Sequence, residues 1–163
     1  MRPGDDIEQA MERHGDTVWR VCLLSLRHEA DAQDAFQDTF MRYALADATA
    51  FEGDEHRKAW LIRVATNACR DMLRRASRRT NVGLDEGLDQ LVAASDPEEQ
   101  PGSAVHEVID AMRALDDPPR TPLYLALYEG YTAPEIAALV DAPVNTVYSW
   151  ISRGRKQLKE VLA

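Results

Sequence analysis

The chain of 163 residues is long enough for one mid-sized domain or two small ones, and too short for a large multidomain enzyme. Hydrophobic residues make up 45% and charged residues 29%, a balance typical of a globular protein and not of a disordered one. The net charge of −9 argues against a nucleic-acid partner until the charges are located along the chain. No apolar run is long enough to cross a bilayer and the first residues do not form a signal peptide, so we expect a cytoplasmic protein without membrane insertion.

The charges are distributed unevenly along the chain. Residues 1–56 carry thirteen acids and five bases, whereas residues 57–79 carry eight bases against the single acid Asp71. Ten acids and one base follow between 80 and 119, and from Tyr148 onwards four bases oppose one acid. Complementing a helix dipole explains two or three bases in a block, but not eight against one. The first basic block therefore predicts a surface that binds a polyanion.

Residues that could carry catalysis or hold a metal are scattered. Cys22 and Cys69 are isolated, which indicates neither a disulfide framework nor a zinc site. Four histidines lack partner spacing, and most are expected at the surface: His14, His28, His56 and His106. A glycine-rich phosphate loop, an HExxH motif and a GxSxG motif are all missing from the sequence. We therefore expect no metal, no cofactor and no small-molecule substrate, and an enzyme is the least favoured class.

Three helices are predicted before residue 50. Asp5 or Asp6 can cap a first helix, which Gly15 interrupts; Asp16 can start a second helix and Asp31 a third. The third helix has one largely apolar face, formed by Ala32, Ala35, Phe36, Thr39, Phe40 and Tyr43.

A long helix is predicted from about His56 to Ser77, after a loop at 51–55. Its apolar face comprises Leu61, Val64, Ala65, Ala68, Cys69 and Met72, with Trp60 expected as a core anchor at the edge. The opposite face carries a polar stripe of Arg63, Asn67, Arg70 and Arg74. Such a row of donors suits a strand of phosphates, and Asn67 can also accept from a base edge. A solvated face without a ligand is the alternative.

Residues 80–103 are acidic and contain several glycines and prolines, which predicts a linker. Four apolar residues inside it could form a short docked turn: Leu84, Leu88, Leu91 and Val92. Four more helices are predicted at about 104–115, 122–129, 133–140 and 144–162. Since no segment alternates as a strand does, we predict an all-α protein of two small helical domains, 1–79 and 104–163, on this tether.

The last two helices have the spacing of a helix-turn-helix. Thr132 and Glu135 form a capping-box sequence, and a break at 141–143 precedes a helix that begins near Val144. Its predicted buried seam is Val144, Val147, Ile151, Leu158 and Leu162. The side chains that project the other way are Asn145, Ser149, Ser152, Arg153 and Lys156, with Tyr148 and Arg155 beside the seam. Small polar residues followed by bases suit a major groove and its phosphates; an ordinary helical hairpin is the alternative.

Four segments resemble, in order, motifs of the bacterial RNA polymerase sigma factors of the small extracytoplasmic-function (ECF) group. DAQDAFQDTF (31–40) is similar to DAEDLVQEVF, and AWLIRVATN (59–67) with DMLRR (71–75) is similar to the AWLYRIARN and DYLRR stretches of region 2. EGYTAPEIA (129–137) resembles EGLSYEEIA, and TVYSWISRGR (146–155) resembles TVKSRLHRAR of region 4. The resemblance covers most of residues 14–79 and 105–162.

The resemblance implies a role for each matching residue. Asp34, Gln37 and Phe40 match the helix that docks on the polymerase core. The segment from Phe51 to His56 matches the loop that captures a flipped base of the minus-10 element. The surface that reads and melts this element is matched by Arg63, Asn67, Arg70 and Arg74. Positions entering the minus-35 groove or contacting its phosphates are Asn145, Tyr148, Ser149, Ser152, Arg153, Arg155 and Lys156. The implied partners are the beta-prime clamp and beta flap of core polymerase, promoter DNA and an anti-sigma factor.

Two departures from the family pattern leave other functions open. Gln33 replaces an acid in the docking helix, and Trp150 stands where the family usually has arginine. A sigma factor is the leading hypothesis. A stand-alone helix-turn-helix regulator is the second, although it leaves the polar stripe unused, and a sigma-like decoy that binds core or an anti-sigma factor without initiating is the third.

Overall fold

Seven helices make up the regular structure of the computed structural model, which describes residues 1–81, 104–115 and 120–162. No strand occurs in these ranges, and the predicted all-α class is confirmed. The chain divides into two compact units, Met1–Ala93 and Ala94–Ala163. The predicted linker lies outside the described residues from 82 onwards, including the apolar turn expected inside it, so the domain bounds stay a prediction.

The first unit consists of α1 (Gly4–Ser25), α2 (Glu29–Leu45) and α3 (Asp54–Asn81). The predicted break at Gly15 is wrong, because α1 runs through it. Gly15 is buried, and a Cβ atom there would lie 4.0 Å from the ring of Phe36, which is an ordinary van der Waals distance, so α1 packs against α2 at this point. The predicted cap of this helix at Asp5 or Asp6 is also wrong, since Pro3 is the N-cap residue of α1 and forms no side-chain cap.

The core of the first unit lies where the three helices meet, and the helical period predicted most of it. Leu61, Ala65, Ala68 and Cys69 of α3 are buried, with Val64 and Met72 half-buried. The predicted face of α2 is buried apart from the half-buried Phe36. Trp60 is the expected anchor, since its ring centroid lies 6.0 Å from that of Tyr43 and 5.7 Å from that of Phe51.

The second unit consists of α4 (Ala104–Arg113), α5 (Arg120–Leu127), α6 (Ala133–Val140) and α7 (Val144–Leu162). The bounds of α6 and α7 are those predicted. Helix α5 begins two residues before the predicted Pro122, because proline is tolerated in a first turn, where the N–H groups have no helical partner. The largest fully buried side chains of this unit are Met112, Leu123, Tyr124, Leu125, Ile136 and Val147.

The seam of α7 differs from the prediction at its C-terminal end. Val147 is buried and Val144, Ile151 and Leu158 are half-buried, but Leu162 is 59% exposed. Helix α7 has 19 residues and a length of about 28 Å, whereas α5 and α6 have 8 residues each and span about 12 Å. The last turn of α7 therefore extends beyond the helices that cover the rest of its seam.

The turn between α6 and α7 is built as the sequence predicted. The Thr132 hydroxyl accepts a hydrogen bond from the Glu135 amide at 3.3 Å, and the Glu135 carboxylate accepts one from the Thr132 amide at 2.8 Å. At the other end of α6, Asp141 adopts the left-handed conformation with φ 56° and ψ 55°. The Ala142 amide then donates back to the Ala137 carbonyl at 3.1 Å, which closes the helix.

The left-handed backbone of Asp141 restricts which side chains this position tolerates. A valine at this φ is a steric outlier, whereas aspartate tolerates it and glycine adopts it freely. We expect Asp141→Val to lower the unfolding free energy of the second unit by about 1–3 kcal/mol, and Asp141→Gly to change it by less than about 1 kcal/mol. Urea denaturation followed by circular dichroism measures both, and equal losses in the two variants would contradict the assignment.

None of the described helices is both long enough and apolar enough to cross a membrane.

Candidate nucleic-acid interface

The polar stripe of α3 lies on the surface, as the helical period predicted. Arg63, Asn67 and Arg74 are exposed and Arg70 is half-exposed, on the side opposite the buried residues of the helix. Arg74 forms an exposed ion pair with Asp71, at 3.4 Å between Nη1 and Oδ1, and such a pair is worth little in water. The stripe can therefore offer its guanidinium groups to an anionic ligand.

Arg57 does not belong to this surface, although it was counted in the first basic block. It is 8% exposed and donates to Asp54, with its Nη2 2.5 Å and its Nε 3.1 Å from Oδ1. The same guanidinium lies 3.4 Å from the carboxylate of Asp6. The sequence held a signal for this burial, because Arg57 precedes the buried Leu61 by four residues and so shares its helix face.

The partners of Arg57 form a network of half-buried charges around the start of α3. His14 is 5% exposed, so it is not one of the histidines at the surface; its Nε2 lies 2.9 Å from Oδ1 of Asp54. Burial raises the pKa of Asp54, but hydrogen bonds from His14 and Arg57 outweigh it and hold that pKa below its ordinary value of 3.8. The hydroxyl of Tyr43, followed by Arg2, likewise lowers the pKa of Asp6.

The segment between α2 and α3, residues 46–53, is here called the 46–53 loop. Phe51 is half-buried in it, with its ring centroid 6.1 Å from that of Tyr43 and 5.3 Å from that of His56. His56 is exposed, and its Nδ1 accepts a hydrogen bond from the amide of Glu52 at 3.0 Å. A cavity of about 370 Å³ adjoins the loop, with Thr49 and Phe51 in its wall. Phe51 and His56, which are predicted to bound a base-capturing loop, are therefore neighbours at the C-terminal end of the 46–53 loop.

The predicted docking residues on α2 do not all reach the surface. Asp34 and Gln37 are exposed, whereas Phe40 is 6% exposed and packs on Phe36 at 5.0 Å between ring centroids. The side chain of Phe40 therefore supports this surface from inside, and its assignment as a contact residue stays a prediction. Met41, which the sequence reasoning missed, is 58% exposed. Its position four residues after Gln37 was the available signal.

These α2 residues border a groove shared with α3. It encloses about 600 Å³, and α2 contributes Asp34, Gln37, Asp38, Met41 and Arg42. The opposite wall comes from α3 and consists of Ala68, Asp71, Met72 and Arg75. Methionine side chains between charges of both signs give a surface that can pack on a partner and also select it by charge.

The predicted reading face of α7 is exposed along its whole length. Its members are Asn145, Ser149, Ser152, Arg153 and Lys156, with Tyr148 and Arg155 beside them. Four of these, Tyr148, Ser152, Arg155 and Lys156, also border an apolar groove of about 1020 Å³. The floor of the groove includes Leu127, Ile151, Leu158 and Leu162. Helix α7 therefore presents a polar face and, beside it, an apolar one with a basic rim.

Comparisons with known proteins assign both units to one family. Residues 10–79 match the model of sigma-70 region 2, and residues 106–158 match the model of sigma-70 region 4. The chain is 34% identical over 166 residues to the ECF RNA polymerase sigma factor SigE of Mycolicibacterium smegmatis, covering 96% of this chain and 61% of SigE. It is 32% identical over 148 residues to the ECF RNA polymerase sigma factor EcfG of Rhodopseudomonas palustris, covering 88% of this chain and 78% of EcfG.

A solved structure shares the fold. The sigma factor RpoE from Bartonella quintana, in complex with the anti-sigma factor NepR, superposes with a TM-score of 0.76 over 96% of each chain. The sequence identity of 22% limits this likeness to the fold.

Proposed function

The chain belongs to the ECF RNA polymerase sigma factors of the sigma-70 family, and from this membership we propose that it binds core RNA polymerase and directs promoter-specific transcription initiation. One observation carries the proposal: a long helix in each unit turns a basic, polar face to solvent, opposite its buried residues. The chain then acts as an initiation factor in the cytoplasm, not as a catalyst.

The second unit reads the minus-35 element through α7. In a helix-turn-helix the N-terminal end of the second helix faces base edges, and Asn145 and Ser149 are small enough to approach them. Arg153 follows one turn later, where a guanidinium can bind a guanine or a phosphate. Arg155 and Lys156 neutralise phosphates along the major groove of the DNA.

The first unit reads and opens the minus-10 element. The arginines of the α3 stripe hold the phosphate backbone, and Asn67 offers both a donor and an acceptor to a base. Flipping a base out of the duplex costs a few kcal/mol, which capture beside the 46–53 loop must offset. Because Phe51 already packs against the rings of Tyr43, His56 and Trp60, it acts as a fixed wall of that site.

Core polymerase contacts the chain at both grooves. The α2–α3 groove around Asp34, Gln37 and Met41 receives the beta-prime clamp, with charges of both signs setting the register. The apolar groove of the second unit receives a helix of the beta flap, since an apolar floor with a charged rim is the usual seat of an amphipathic helix. Such surfaces also suit an anti-sigma factor, the kind of partner with which RpoE of Bartonella quintana forms its complex.

The deciding experiment is run-off transcription with bacterial core polymerase, this protein and fragmented DNA from its host genome. Transcripts with fixed starts that depend on the protein establish the sigma factor, and alignment of those starts yields both promoter elements. Core binding without transcripts identifies the sigma-like decoy. DNA binding without core binding identifies the stand-alone regulator.

Arg153 gives a test of the minus-35 assignment. If its guanidinium reads a base, Arg153→Ala in holoenzyme should weaken promoter binding by about 1–3 kcal/mol and relax the sequence preference at one position. Competition binding with promoters mutated position by position measures both effects. The matched control is Arg27→Ala, which removes an exposed arginine of the first unit outside both faces. Weaker binding with an unchanged preference would reassign Arg153 to a phosphate.

A further inference from the structure

Arg2 lies outside residues 10–79, the part of the chain that matches sigma-70 region 2, yet its side chain is only 9% exposed. Its guanidinium donates to three backbone carbonyls beyond the middle of α2. The acceptors are the carbonyl oxygens of Tyr43 at 2.9 Å, Ala46 at 2.7 Å and Thr49 at 2.8 Å. Arg2 thus ties the last turn of α2 to the middle of the 46–53 loop.

The chemistry of this contact favours a guanidinium. The carbonyl oxygens of Tyr43 and Ala46 already accept the amides of Ala46 at 3.2 Å and Thr49 at 3.1 Å, and each has a second lone pair for the guanidinium. The C-terminal end of a helix also carries the negative end of the helix dipole, so a cation there is favourable. The planar guanidinium presents donors in a rigid fork, which suits several acceptors at fixed positions. Arg42, the basic residue in the last turn of α2, pairs instead with Asp38 at 3.0 Å, so Arg2 serves this end of the helix.

Arg2 also holds the aromatic side of the loop. Its Cζ lies 4.4 Å from the ring centroid of Tyr43 and 5.1 Å from that of Phe51, both within the range of a cation–π interaction. Oδ2 of Asp6, on α1, accepts a hydrogen bond from Nη1 of Arg2 at 3.2 Å and so fixes the guanidinium. Arg2 and Phe51 both border the 370 Å³ cavity beside the loop.

We infer that Arg2 is a positioning residue that holds the 46–53 loop in the shape that admits a base of the minus-10 element. The inference rests on the proposed function and extends it to a residue outside the matched region. Without Arg2, three carbonyls and the ring of Phe51 lose the group that joins them, and the wall of the cavity loses its fixed geometry. The stripe on α3 is untouched, so phosphate binding persists.

Holoenzyme binding to single-stranded minus-10 oligonucleotides tests this inference, with one position at a time made abasic. For the unaltered protein we expect an affinity loss of about 10-fold or more at the captured position. Arg2→Ala should reduce that loss to less than about threefold while leaving affinity for the abasic strand within about twofold. Hydrogen exchange should accelerate in residues 46–53 and stay unchanged in the middle of α3.

Two variants keep the test independent of folding. Arg2→Lys retains the charge but cannot reach three carbonyls at once, so its base preference should be intermediate even if Arg2→Ala fails to fold. Arg27→Ala removes an exposed arginine of the first unit that does not border this cavity, and should leave the base preference intact.

The outcomes distinguish a failure of the proposed base capture from a failure of the positioning role of Arg2. If no abasic position weakens binding of the unaltered protein, base capture itself is wrong and the role of Arg2 falls with it. If one position does so, but both Arg2 variants retain the full loss or the hydrogen exchange of residues 46–53 is unchanged, the positioning role alone is overturned.

Discussion

Replacing Asp34 with arginine should weaken holoenzyme formation by about 100-fold or more, the largest effect expected from any single surface change in this chain. Asp34 is exposed on α2 and borders the α2–α3 groove, where Arg42 and Arg75 already supply positive charge. The substitution removes an acid that the proposal places against core polymerase. It also adds a third cation to the groove, which repels any basic group of the polymerase that lies there. Competition between labelled and unlabelled protein for core polymerase measures the effect.

The control for this charge reversal is Glu12→Arg on α1. Glu12 is also exposed and acidic, but it does not border the groove, so the same change in net charge should leave the dissociation constant within about threefold. Both variants should retain the thermal unfolding midpoint, since neither side chain is buried. Core binding by Asp34→Arg within threefold of the unaltered protein would show that α2 is not the docking helix.

The parts of the fold that the sequence predicted best depend on local chemistry. The capping box at Thr132 and the break at Asp141 lie within four residues of the helix ends that they define, so α6 and α7 have the predicted bounds. The two faces of α3 follow from the helical period alone, which is why its stripe lies at the surface as expected.

Three other features escaped the sequence for a different physical reason, since each involves a residue far along the chain. Gly15 weakens a helix in isolation, but here the ring of Phe36 packs over it and α1 continues. His14 lies opposite Asp54, forty residues away, and Arg57 reaches Asp6 across fifty-one. A charge count treats Arg57 as a surface residue, because the count does not register the helix face on which it lies.

The candidate sites show the same division. The periodicity of α7 was enough to place its exposed reading face, but the apolar groove beside it needs α5, whose Leu127 has no feature that marks it for a site. The α2–α3 groove likewise joins Met41 to Arg75 across two helices. Arg2 is a further case, since the carbonyls that it binds lie forty-one to forty-seven residues away.

Removing Arg57 should destabilise the first unit, because it leaves charges without their partner. Arg57→Met keeps the apolar stem but removes the guanidinium that faces Asp54, Asp6 and Tyr43. Breaking a fully buried pair costs about 3–5 kcal/mol, and the partial exposure of both carboxylates reduces this, so we expect a loss of about 2–3 kcal/mol in the free energy of unfolding. Urea denaturation followed by fluorescence measures it in a Trp150→Phe background, where Trp19 and Trp60 of the first unit are the remaining tryptophans.

The pH dependence and a matched variant decide whether the loss arises from these charges. Because the pKa values of Asp6 and Asp54 are lowered in the folded protein, their contribution is present above the ordinary value of 3.8 and disappears as the pH falls through the folded values. The gap between unaltered protein and Arg57→Met should therefore be largest near neutral pH and shrink below 3.8. Arg13→Met removes an exposed arginine, 3.7 Å from the same Asp54, and should cost less than about 1 kcal/mol. Equal losses in the two arginine variants, or a gap that persists in acid, would show that Arg57 stabilises the first unit through its packed stem and not through its charge.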